Sequence, residues 1–237
     1  MDDTLYFRQL AAGRDFARGD AVAAQMDNFV YLVGDRLKGE CLVVDPAWDV
    51  AGLVEAAARD DMRIVGALVT HWHPDHVGGP LFGHDVKGLA DFLALNPAPI
   101  HVHEADADLV VAMTGVSRRD LTLHRSGEIV RAGAVEIECL HTPGHTAGSQ
   151  CFRCGHRLIA GDTLFLQGCG RLDLPGGDVD EMWRTLYQRL ATLPDDVVLY
   201  PGHDYAAKPH APLGEVRRTN YALQAPTLED WHRLMGR

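Results

Sequence analysis

Residues 64–79 read IVGALVTHWHPDHVGG. The apolar run from Ile64 to Val69 is unbroken and bounded by Arg63 and Thr70, the pattern of a strand buried on both faces. Four metal-competent side chains, His71, His73, Asp75 and His76, follow within six residues. Such a chain must bury a strand inside a sheet and leave its C-terminal end open, because a loop at a strand end is where a rigid scaffold presents chemistry. Alternate residues His71 and His73 share one side of an extended loop, while Asp75 and His76 turn towards a neighbouring point. So compact a group suits two ions side by side better than one. Imidazole and carboxylate together favour zinc or iron.

The same arrangement recurs in the second half. His145 sits in HTPGHTAGS, after an apolar strand over 135–140. Asp162 sits in LIAGDTLF and His203 in VVLYPGHDY, each just past an apolar strand. Gly144, Gly161 and Gly202 precede these residues and permit tight turns. Four such strand ends converging would build one site.

The remaining elements follow from periodicity and turn residues. Strands are predicted over 28–33 and 40–45, joined by a hairpin over 34–39. Helical spacing of Val50, Leu53, Val54 and Ala57 predicts a helix over 49–59 with Asp49 as N-cap. A helix is predicted over 85–95, then a short strand and a helix from about Glu104. The second half is richer in strands: 121–124, 128–130, 135–140, 149–153, 157–160 and 197–200. Between the last two, residues 178–190 form an amphipathic helix with Met182, Trp183, Leu186 and Leu190 on one side. A terminal helix spans 213–223. No Ser/Gly/Pro-rich linker divides the chain, so residues 1–237 are expected to form a single domain.

Composition excludes several classes of partner. The net charge of −11 and the lack of a basic strip argue against nucleic acid. No apolar stretch approaches the ~18 residues needed to span a bilayer. The first twenty residues carry charge throughout and no apolar signal core. Five cysteines, an odd number in a chain that needs no staples, are expected as reduced thiols in a cytoplasmic protein. Cys151 and Cys154 form a lone CxxC, read as packed thiols, with a redox or metal role as the alternative. His101 and His103 are expected partly exposed on one strand face. His84, His124, His141, His156, His210 and His232 are expected at the surface or in turns.

THWHPDH, the TPGHTAGS turn, the GD after a strand and the GH before the C-terminal helix together resemble the metallo-β-lactamase superfamily, from about Asn28 to Tyr205. The resemblance implies an α/β fold, a four-layer αβ/βα sandwich of two mixed sheets flanked by helices, with metals at one edge. It implies that His71, His73 and His145 hold a first metal, and Asp75, His76 and His203 a second. Asp162 would bridge them. The cofactors expected are two divalent ions, zinc first, with iron or a mixed pair as alternatives. Two ions about 3.5–4 Å apart can share a water and lower its pKa. The bridging hydroxide would be the nucleophile, with Asp75 and Asp162 as the catalytic carboxylates and no Ser or Cys required.

Within that superfamily, DTLFLQGCGRLD (162–173) resembles the glyoxalase II group. There a basic residue nine positions after the bridging Asp, here Arg171, contacts the glutathione part of a thioester. A Tyr two residues after the last His ligand, here Tyr205, has a similar role. This implies a glyoxalase II-like thioesterase acting on a small, glutathione-type thioester. Two departures stand against it. Asp173 replaces an aromatic residue, and too few residues follow His203 for the extra helical domain of longer members. GCGRLD (168–173) and GEVRRTN (214–220) also look like persulfide dioxygenases, which use a single iron, so that activity is an alternative, as is a lactonase. Partners expected are the small thioester alone, with neither nucleic acid nor membrane; pairing of two copies into a homodimer stays open. The stretch between His76 and His145 is longer than these groups carry, with the surplus expected as a helical insertion at about 80–99. It is read either as a flap with Leu81, Phe82, Leu89, Phe92 and Leu93 walling a pocket, or as an added surface helix.

Overall fold

The computed structural model describes residues 4–236. Strand β1 (Leu5–Ala11) pairs antiparallel with β2 (Phe29–Asp35), an edge element that the charged N-terminal stretch does not announce. Between them lies helix α1 (Ala21–Met26), where the Asp20 carboxylate accepts from the backbone N–H groups of Val22 and Ala23. β2 turns into β3 (Glu40–Val44) as the expected antiparallel hairpin. Helix α2 (Val50–Arg59) starts at the expected cap, Asp49, whose side chain accepts from Gly52 N at 2.9 Å. A cap of this kind stabilises by about 1 kcal/mol. β4 (Arg63–Leu68) then runs parallel to β3, and the single turn α3 (Pro74–Val77) follows it.

Residues 79–95 depart from the expected helix over 85–95. They form a hairpin of β5 (Gly79–Leu81) and β6 (His84–Val86), then a shorter helix α4 (Leu89–Leu95). Residues 84–86 pair with 79–81, and Gly88, the N-cap, takes φ −170 and ψ −132, so the helix starts only after it; a Cβ at Gly88 would lie 2.1 Å from the Val77 carbonyl oxygen. The five apolar residues of the segment do not wall one pocket. Leu89 and Phe92 are fully buried in the core, Leu81 and Leu93 pack at its margin, and Phe82 at the hairpin tip is 92 % exposed.

Beyond it come β7 (Ile100–His103), α5 (Ala107–Thr114) and β8 (Leu121–His124). The first sheet has the order β1-β2-β3-β4-β7-β8, with the last four strands parallel. The second sheet takes β9 (Ile129–Ala132), β10 (Val135–His141), β11 (Gln150–Cys154), β12 (Arg157–Gly161), β13 (Val198–Pro201) and β14 (Ala211–Pro212), in the order β14-β13-β12-β11-β10-β9. β12 and β13 are parallel, joined through α6 (Val179–Arg184). The helix expected over 178–190 is regular only to Arg184. It passes through a π turn at Thr185–Arg189, where the Thr185 hydroxyl donates to Pro143 O at 2.7 Å. The expected terminal helix is likewise split. α7 (Leu213–Thr219) ends at Asn220, and α8 (Leu228–Leu234), which the sequence reading did not include, covers the end of the sheet.

Three apolar clusters make this an αβ/βα sandwich. Phe29, Tyr31, Leu42, Ile137, Phe152 and Ile159 fill the space between the sheets. The outer face of the first sheet packs on α2, α4 and α5 through residues such as Leu32, Leu53 and Phe92. That of the second packs on α6, α7 and α8 through Leu158, Met182 and Trp231. β2 is buried along its whole length, which is why its sequence is continuously apolar rather than alternating. Among the described residues no helix is long and apolar enough to cross a membrane.

The CxxC reading resolves here. Cys151 lies in the outer cluster and Cys154 in the inner one, on opposite faces of β11, so the two thiols do not meet. Cys41, Cys139, Cys151 and Cys169 are free thiols. His124, expected at the surface, is only 8 % exposed on β8, and His103 only 6 %. His103 stacks on His141 with ring centroids 3.8 Å apart.

Candidate metal centre

The parallel strands β3 and β4 of one sheet and β12 and β13 of the other end at the same edge of the sandwich. Each strand end delivers its side chain there. After β4 the chain runs extended through His71 and His73. Pro74, whose fixed φ suits the first position of a helix, then starts α3 and puts Asp75 and His76 on its single turn. Gly161 adopts φ +48 ahead of Asp162 and Gly144 φ +139 ahead of His145. Gly202 is needed for space: a Cβ there would lie 2.4 Å from Asp162 Oδ1.

All seven sequence-predicted residues, His71, His73, Asp75, His76, His145, Asp162 and His203, converge. Three sets form, each with ligand atoms within 4.8 Å of one another: His71–His73–His145, His71–His76–Asp162, and Asp75–His76–His203. Asp162 faces both outer sets. Its Oδ1 lies 3.3 Å from His203 Nε2 and 3.4 Å from His76 Nε2, and its Oδ2 lies 3.7 Å from His145 Nε2. Asp75 Oδ2 lies 3.3 Å from His76 Nε2 and 3.5 Å from His203 Nε2.

The hydrogen bonds behind the rings settle where their lone pairs point. His145 Nδ1 donates to Arg171 O and His203 Nδ1 to Met26 O, both at 2.7 Å. His76 Nδ1 donates to Asp45 Oδ2 at 2.9 Å. Thr70 Oγ1 gives its own proton to Asp45 Oδ2 at 2.6 Å and so accepts from His71 Nδ1 at 3.0 Å. In the neutral tautomer each of these four rings therefore directs the Nε2 lone pair inward, the arrangement that orienting partners impose on metal-binding histidines. The inward atoms are short of donors. His71 Nε2 and Asp162 Oδ1 are buried without a hydrogen bond. His76 Nε2 and His203 Nε2 face each other at 3.3 Å, and His145 Nε2 faces His73 Nδ1 at 2.9 Å.

The electrostatics agree. Burial holds the His71 imidazole well below the ordinary range and His73 down to about 4, so both are neutral at pH 7. Burial also disfavours charge on His76 and His203, but the nearby carboxylates, Asp75 and Asp162 foremost, outweigh it and push both imidazoles up. The same pairing overrides burial at Asp75 and Asp162 and keeps both ionised. Buried acceptors with inward lone pairs and a local demand for positive charge fit divalent cations, with hard and borderline donors suited to zinc or iron.

The two substrate candidates sit differently. The Arg171 guanidinium is exposed and held by Asp173, Nε to Oδ1 at 3.0 Å and Nη2 to Oδ2 at 2.8 Å. What Arg171 gives the centre is its backbone carbonyl, bonded to His145. Gly170 makes that possible, since a Cβ there would lie 2.8 Å from the His145 ring. The Tyr205 ring stacks on His203 at 4.6 Å, is half exposed, and meets the edge of Phe165 at 5.5 Å. GCGRLD and GEVRRTN are joined by Asn220, which accepts from Gly168 N at 2.8 Å and donates to Phe165 O at 2.9 Å.

Four supporting residues escaped the sequence reading. Asp45 fixes Thr70 and His76; its signal was an acid ending the apolar run CLVVD. Asn28 and Trp48 lie behind Asp75, and Asp106 lies behind the turn that carries His145. Nothing in EADAD singles out Asp106 from its neighbours.

A protein-family model described as the metallo-beta-lactamase superfamily matches residues 25–203. Hydroxyacylglutathione hydrolase of Rhodopseudomonas palustris is 36% identical over 201 residues, covering 84% of this chain and 71% of the relative. The probable polyketide biosynthesis zinc-dependent hydrolase BaeB of Bacillus velezensis is 29% identical over 198 residues, covering 83% of this chain and 82% of the relative. The crystal structure of ETHE1 from Myxococcus xanthus superposes with a TM-score of 0.79 at 26% identity, covering 98% of this chain and 90% of that one.

Proposed function

The chain belongs to the metallo-beta-lactamase superfamily, and from that premise we propose that it is a metal-dependent hydrolase of small thioesters, with glutathione-linked esters as the substrate class. The observation that carries the reading is Asp162, one oxygen turned to His76 and His203 and the other to His145. That disposition suits a carboxylate shared between two ions. In this reading His71, His73 and His145 hold one ion, and Asp75, His76 and His203 the other. Bound there, two divalent ions supply Lewis acidity for a carbonyl oxygen and lower the pKa of water towards neutrality.

The chain's own groups do the rest. Asp75 and Asp162 would offset only part of the charge of two divalent ions, and what is left would favour an oxyanion. Asp45, Thr70 and the carbonyls of Arg171 and Met26 hold the rings in one tautomer. Burial pushes the Cys169 thiol up to about 12 and Cys151 to about 11, so neither supplies a thiolate nucleophile at neutral pH. In this reading Tyr205, half exposed beside His203, packs on the thiol part of a substrate, and Arg171 contacts an anionic group once it leaves Asp173. The 36% identity to a hydroxyacylglutathione hydrolase supports the substrate class.

A second reading, a single-iron persulfide dioxygenase, is favoured by the likeness to ETHE1 together with GCGRLD and GEVRRTN. Metal content of protein purified without added metal, paired with thioester hydrolysis and oxygen uptake on glutathione persulfide, separates the two. Two ions per chain with thioester turnover supports the hydrolase. One iron per chain with oxygen consumption sinks it.

A further inference from the structure

Asn28 is 1 % exposed and lies directly behind Asp75. Its Nδ2 donates to Asp75 Oδ2 at 3.1 Å and passes His76 Nε2 at 3.4 Å. Its Oδ1 accepts from Trp48 Nε1 at 3.1 Å. An indole N–H can only donate and an ionised carboxylate can only accept. An amide caught between them has one orientation, because the flipped form would set N–H against N–H and oxygen against carboxylate. Trp48 is itself fixed. It is 4 % exposed, its backbone takes φ +75, and its N–H donates to Lys87 O at 2.8 Å.

The oxygen held in this way is Asp75 Oδ2, the same atom that faces His76 and His203. The His71–His73–His145 set draws its orienting bonds elsewhere, from Thr70 and the Arg171 carbonyl. We propose that Trp48 and Asn28 are a positioning pair that sets the affinity of the Asp75–His76–His203 site independently of its neighbour. Trp48 acts through Asn28: its role is to forbid the amide flip that would turn an oxygen on Asp75. The proposal rests on the two-ion reading, since it needs an ion at Asp75.

The test is a zinc-binding curve of the full chain. Protein is equilibrated at free zinc concentrations set by a chelating buffer, and zinc per chain is measured by mass spectrometry. The wild type fills in two steps. Trp48→Phe moves one of the two steps to roughly tenfold or more higher free zinc and leaves the other in place, in line with the effect of removing an orienting partner. Asn28→Ala does the same and serves where Trp48→Phe gives no folded protein. A curve with neither step moved overturns the proposal, as does an equal shift of both steps, which reports general loosening. A wild type that binds one zinc at every concentration removes the two-ion reading and this proposal together. Two zinc ions with neither step moved removes this proposal alone.

Discussion

Asp106 Oδ2 accepts from Thr146 Oγ1 at 2.7 Å, and neither side chain has any exposed surface. Asp106 Oδ1 accepts from Gly148 N at 2.7 Å. One side chain at the start of α5 thus straps down the turn of His145. Asp106→Ala leaves the buried Gly148 N–H unpaired and takes one of two partners from Thr146 Oγ1, and losing a buried partner costs about 1–3 kcal/mol. Thermal unfolding is expected to fall by several degrees, at about 2–4 °C per kcal/mol for a chain of this size. Metal should be lost from the His71–His73–His145 set in step. An unchanged melting temperature would refute the strap.

Asp162→Ala removes a carboxylate turned to both outer sets. Bound metal per chain should drop and thioester turnover should disappear. Retained turnover with full metal content would end the shared role.

Arg171 and Asp173 make opposite predictions. Arg171→Ala should raise KM for an anionic thioester more than for a neutral one. Asp173→Ala frees the guanidinium and should lower KM for the anionic ester. Exposed pairs of this kind are worth little to stability, so both variants should melt like the wild type. Equal effects on the two esters would remove Arg171 from the substrate.

Phe82 and Phe92 lie ten positions apart with opposite fates, 92 % and 0 % exposed. Phe92→Ala should cost about 3–5 kcal/mol. Phe82→Ser should leave stability untouched. If the hairpin tip reaches substrate, Phe82→Ser changes the preference among thioesters of differing acyl length; unchanged kcat/KM ratios would retire the flap.

His101 supplies a pH dependence away from the centre. Burial, and then His124 with its Nε2 2.8 Å from His101 Nδ1, hold the His101 imidazole down to about 4. The unfolded value is about 6.5. Between these limits the unfolded chain binds a proton that the folded chain refuses, so this contribution is intact above pH 6.5 and lost as pH falls towards 4. Denaturant unfolding of wild type and His101→Gln at pH 7 and pH 5 should show a shallower loss in the variant. Parallel losses would exclude His101 as a source.

The sequence was most informative where a single local rule decides the outcome. Continuous apolar runs marked β2, β3, β4, β12 and β13 because both sheet faces are covered. The ligand-bearing turns were legible because strand, glycine and ligand are contiguous. The failures have a different cause. β1 is an edge strand in which Arg8 and Gln9 interrupt the apolar pattern and conceal its pairing with β2. Residues 85–87 carry helix-compatible side chains, yet His84–Val86 pairs as a strand with Gly79–Leu81 and the helix starts only after Gly88. Asn28, Trp48 and Asp106 act across the fold, and no spacing rule links residue 28 to residue 75, or residue 106 to residue 146.

The seven converging side chains are divided along the chain, His71, His73, Asp75 and His76 before the second sheet begins, and His145, Asp162 and His203 within it. During synthesis the first four emerge together and can capture an ion only loosely, since each proposed set lacks a member until later. His203 comes last, at the end of the final parallel strand. Completion of the centre is thus a late event in the life of each molecule. An ion once seated would work as a clasp between two half-sandwiches, resisting their separation as a covalent bridge does in proteins that can form one.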